Sequence, residues 1–82
     1  MKAILYTVTA ARALRTHANR AKLIRSKITL YAKDPASQAN NVKRLTGVDA
    51  LRLRVGDFRV IFSETADTIT ILDVGPRGDI YE

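Results

Sequence analysis

Residues 51 to 62 read LRLRVGDFRVIF. Two alternating runs, one with Leu51, Leu53 and Val55 and one with Phe58, Val60 and Phe62, flank Gly56-Asp57. Alternation with period two sends the apolar side chains to one face of a strand. A two-residue connection with glycine first fits a type II′ hairpin turn. The chain must therefore contain an antiparallel pair with one apolar face that needs a cover. The turn also sets the register. Val55 faces Phe58 towards the core, while Arg54 faces Arg59 on the opposite face, with Arg52 one pair further along.

The rest of the chain supplies the cover. TITILDV (68–74) reads as a third strand reached through a polar turn, so the three consecutive strands predict an antiparallel meander. AILYTV (3–8) reads as a strand, and Thr9 is placed to cap the helix that follows it. Asn19 is the second capping candidate. After it, Ala21, Ile24, Ile28 and Tyr31 recur on one face of an amphipathic helix that Asp34-Pro35 ends. Residues 36–50 read as a connector with one helical turn near Val42 to Leu45, and GPRGDIYE (75–82) as irregular. The expectation is one α+β domain over 1–82, with a helical hairpin packed on one face of a four-stranded, largely antiparallel sheet. The other face is left open to water.

Charge bears on that open face. Fourteen Lys and Arg against eight Asp and Glu give +6 on 82 residues. Such a balance fits an anionic partner (nucleic acid, an acidic protein or a membrane surface), or serves solubility alone. No cysteine is present, so a disulfide or thiolate site is excluded and a cytoplasmic location is expected. The N-terminal apolar run is too short for a signal-peptide core, and nothing approaches a membrane span, so no membrane partner is expected. No His or Asp spacing suggests a metal, and no cofactor is expected.

Like charges directly opposite on a sheet cost roughly 0.2–1 kcal/mol. One reading of Arg54 opposite Arg59 is that an anion relieves the repulsion, since the guanidinium fork matches phosphate oxygens. The other is that the arginine stems merely cover the sheet, with Glu64 or Asp73 interleaved. Arg77 follows Gly75-Pro76 and can lean over the same face. Tyr81 is placed either to stack on a base or to close the end of the core.

NVKRLTGVDALRLRVGDFRVIF followed by ITILDVGPRGDIY resembles the bacterial RelE/ParE superfamily, the toxins of type II toxin–antitoxin pairs. The likeness is most specific in the second half of the chain. It implies either of two activities. RelE-like members enter the ribosomal A site and cut mRNA without a metal, by attack of a ribose 2′-OH on the adjacent phosphate. ParE-like members poison DNA gyrase and usually lack the basic cluster. Arg52, Arg54, Arg59, Arg77 and Tyr81 match the RelE-type positions, which favours the endoribonuclease. A cognate antitoxin, acidic or amphipathic, is the implied partner, with ribosome and mRNA as targets and DNA reached only through the antitoxin. A decayed toxin that only binds its antitoxin is the third reading.

One departure bears on mechanism. RelE has lysines where this chain has Arg52 and Arg54, and one of those lysines is a candidate general base. Arginine, with a pKa above roughly 12, does not serve easily. Tyr81, Asp79, Glu64 or a ribosomal group then has to take the proton. His17 is expected to be a solvated residue at a helix end.

Overall fold

A computed structural model describes residues 1–78. Strand β1 (Ala3–Tyr6) leads to helix α1 (Val8–Thr16) and helix α2 (Ala18–Lys33). A 3₁₀ helix (Pro35–Asn41) follows, then β2 (Val42–Arg44), β3 (Leu51–Val55), β4 (Phe58–Glu64) and β5 (Thr68–Pro76). The strands form one sheet in the order β1-β5-β4-β3-β2. β1 runs parallel to β5, and the other neighbours are antiparallel.

The hairpin is the one expected. Val55 pairs with Phe58 and Arg54 with Arg59. Gly56 has φ +59° and, among the described residues, no non-glycine residue has positive φ, as a type II′ turn requires. The helices cover the apolar face. Leu14 of α1 and Ile24, Ile28 and Tyr31 of α2 pack on Leu53, Val55, Val60, Phe62, Ile69, Ile71 and Val74, with Ala21 at the margin.

Three expectations are corrected. Among the described residues the sheet has five strands, because Val42–Arg44 pairs with the free edge of β3 instead of making a helical turn. Helix α1 is capped by Thr7, not Thr9, so β1 stops at Tyr6. The Thr7 hydroxyl accepts from the Ala10 N–H (3.1 Å) and donates to the Leu72 carbonyl (3.1 Å), lacing the helix start to β5. Helix α2 begins at Ala18, ahead of Asn19, and has no side-chain cap. His17 between the helices is half-buried, its ring edge-on to Phe58 at 5.0 Å.

The face opposite the helices is not wholly open. Leu45 and Ala50 fold back onto Ile61 and form a second, small apolar cluster. The C-terminal strand also runs further than expected, through Gly75 and Pro76, and carries a bulge. Ile61 pairs with Asp73 but Phe62 pairs with Ile71, which leaves Leu72 as the extra residue. Beyond it the alternation of faces is reversed. Val74 is buried among the helices, and Asp73 and Gly75 lie opposite Ile61 and Arg59.

Glu64 lies away from the arginines. It accepts hydrogen bonds from the Lys2 ammonium (2.6 Å) and the Tyr31 hydroxyl (2.6 Å). Burial would raise its pKa, but these two donors outweigh burial and hold the carboxyl below its usual range. Burial and the Glu64 carboxylate together push the Tyr31 phenol up to about 12. This ties the N-terminus, α2 and β4 together and removes Glu64 from the set of candidate bases.

Candidate functional site

The hairpin register places Arg52 and Arg54 of β3 and Arg59 of β4 on the face away from the helices. The bulge decides the position of the fourth arginine. Regular alternation from Ile71 would turn Arg77 towards the helices; the extra residue returns it to the face of Arg59. There the Arg77 N–H donates to the Asp57 carbonyl (2.7 Å), fastening the end of β5 to the hairpin turn.

A groove of about 540 Å³ runs along this end of the sheet. Arg54, Arg59 and Arg77 line it, together with Lys27 of α2, Asn41 of the 3₁₀ helix and Asp57 of the turn. A smaller recess continues it towards the sheet edge, past Asn40, Lys43 and Arg52. Asn41 joins the two, its Oδ1 accepting from Arg54 Nη2 (3.4 Å) while its Nδ2 donates to the buried Gln38 (3.3 Å).

Arg59 is the centre of the cluster and only 6% exposed. Its pKa is lowered, first by burial and then by Arg52, Arg77 and Arg54, with Asp57 opposing. Arginine nonetheless keeps its proton in proteins, so the site is a fixed concentration of positive charge. Guanidinium groups converging on a groove bind a tetrahedral phosphate through charge-assisted, forked hydrogen bonds. They also stabilise extra charge that develops on phosphorus oxygens.

Four of the five expected site residues therefore come together. Tyr81 lies outside the described residues, as does Asp79. Four groove residues escape a reading of the sequence: Lys27, Asn41, Lys43 and Asp57. Lys43 had no local signal, since Val42-Lys43-Arg44 is one apolar residue followed by two basic ones; it enters the site by pairing directly with Arg52. Asp57 reads only as a turn residue. Among the described residues no group of His, Cys, Asp or Glu is arranged to hold a metal, and no helix is long and apolar enough to cross a membrane.

Residues 2–81 match the family model for the ParE toxin of type II toxin-antitoxin system, parDE. The chain belongs to this toxin family. The fold is shared with solved toxins of the wider superfamily. YafQ from E. coli strain BL21(DE3) superposes with a TM-score of 0.79 at 13% identity, over 100% of both chains. The archaeal RelE–RelB complex from Pyrococcus horikoshii OT3 gives a TM-score of 0.76 at 24% identity, covering 96% of this chain and 98% of that one. The RelB–RelE antitoxin–toxin complex from Methanococcus jannaschii gives 0.62 at 25% identity, over 94% of each chain. No curated protein matches the sequence. The chain is thus a type II toxin built on a RelE-like α+β fold.

Proposed function

We propose that this toxin is a ribosome-dependent mRNA endoribonuclease of RelE type, held in check by a cognate antitoxin in the cytoplasm. The observation that carries the reading is the convergence of Arg52, Arg54, Arg59 and Arg77 on one groove, with Arg59 almost enclosed. In this reaction the ribose 2′-oxygen bonds to phosphorus and the P–O5′ bond breaks. The products are a 2′,3′-cyclic phosphate and a 5′-OH end. Arg54, Arg59 and Arg77 hold the phosphate and stabilise the charge of the five-coordinate phosphorane, while Arg52 and Lys43 hold the chain beside it. Antitoxins accompany the toxins in the two RelE–RelB complexes, and an acidic segment is the chemistry that would neutralise this groove.

Primer extension on ribosomes programmed with a defined message, with a no-ribosome control, tests the proposal. Cuts within the A-site codon are expected, only with ribosomes, and they should disappear in Arg59→Ala and Arg77→Ala while both variants stay folded. Full toxicity in the double variant would sink the reading. The rival is DNA gyrase inhibition, favoured by the match to the ParE family model. DNA-damage signalling with intact mRNA, from a protein that still stops growth, would select it.

A further inference from the structure

We propose that Asp57 is the general base, taking the proton of the attacking 2′-OH; this rests on the endoribonuclease reading. Arginine does not release a proton at neutral pH, so the arginine cluster supplies charge but no proton acceptor. Among the described residues, Asp57 is the one acidic residue that lines the main groove, beside Arg54, Arg59 and Arg77. Glu64 is committed to Lys2 and Tyr31. The Asp73 carboxylate accepts from the Val74 N–H (2.8 Å) and does not line the groove.

Three features single Asp57 out. Its side chain enters no ion pair with the described residues, although several guanidinium groups surround the groove. A carboxylate there also weakens phosphate binding, so pure affinity would select a neutral residue. Its backbone is anchored as well, because the Asp57 carbonyl accepts from the Arg77 N–H at 2.7 Å. The residue's main chain is therefore fixed beside the arginine that would bind the phosphate, and its charge acts on the central Arg59. In the step itself, the 2′-OH proton passes to the Asp57 carboxylate as the 2′-oxygen attacks phosphorus, the P–O5′ bond breaks, and the leaving 5′-oxygen takes a proton from water. Proton transfer by a positioned side chain contributes about 10²–10⁴-fold to a rate.

The test uses the full chain on programmed ribosomes, following single-turnover cleavage against toxin concentration for Asp57→Asn. The expected result is a fall of about 10²-fold in the maximal rate, with half-saturation unchanged or at lower toxin concentration. A purely electrostatic or structural Asp57 differs in the maximal rate, which stays intact or rises while loss of the negative charge tightens binding. A wild-type maximal rate in Asp57→Asn overturns the inference. If Asp57→Asn fails to fold, by circular dichroism and thermal unfolding, Asp57→Ala is read in the same way. Failure of the wild type to cut at all would instead refute the endoribonuclease reading, so the two failures are separable.

Discussion

Replacing Glu64 by glutamine should cost stability at neutral pH and cost almost nothing in acid. The side chain is nearly isosteric and keeps an acceptor for Tyr31, so the change removes mainly the charge. A hydrogen bond to a charged group contributes about 1.5–3 kcal/mol, and a neutral one about 0.5–1.5 kcal/mol. The Tyr31 bond, at 2.6 Å, therefore loses about 1 kcal/mol. The Lys2 side chain is 32% exposed. Its ion pair is screened by solvent and adds only about 0.5 kcal/mol. A total of about 1.5 kcal/mol corresponds to a fall of roughly 6–12 °C in the unfolding midpoint of a domain this size.

The pH dependence has a definite sign. The folded pKa of Glu64 lies below its unfolded value, near 4.3. Its contribution is fully present above that unfolded value and is lost as pH falls through the depressed folded pKa. Wild type and Glu64→Gln should therefore differ at pH 7 and converge as pH falls below the unfolded value and through the depressed folded one. Urea unfolding of both proteins across that range is the assay. A difference under about 0.3 kcal/mol at pH 7, or one that persists undiminished in acid, would refute the assignment of this stability to the Glu64 charge.

Three other outcomes are expected. Tyr31 ionises near 10 when unfolded and at about 12 in the fold, so its contribution is intact below pH 10 and fades above it; in Tyr31→Phe this part of the alkaline loss should vanish from unfolding curves. Gly56→Ala, at φ +59°, should destabilise the hairpin by about 1–2 kcal/mol, measured as a lower urea midpoint. Lys43→Ala should flatten the salt dependence of binding to single-stranded RNA by about 0.7 in log–log slope, since one phosphate contact is removed; an unchanged slope would take Lys43 out of the groove's binding surface.

Much of the fold was legible because its main signals are local. Alternation over LRLRV and FRVIF around Gly56-Asp57 sets the hairpin, its register and the Arg54–Arg59 pair from twelve adjacent residues. The stripe Ile24, Ile28 and Tyr31 likewise declares which side of α2 covers the sheet. Gly75-Pro76 let Arg77 lean over this face and the resemblance placed it in the site, but the alternation of the strand itself did not. Ile69 and Ile71 are followed by Val74, a break in parity that the structure absorbs at Leu72.

What local pattern determined, then, is the hairpin, the helical cover and three arginines on one face. Only the tertiary structure decided the rest. The bulge that turns Arg77 to the groove comes from fitting β5 against both β4 and the helices. The strand character of Lys43 depends on a free edge of β3, which no window around residue 43 contains. The enclosure of Arg59 needs its neighbours from β3 and beyond β5. Glu64 finds partners 62 and 33 residues away, at Lys2 and Tyr31. Periodicity tells a side chain which face it occupies; which charges meet it there depends on contacts that close only when the chain folds.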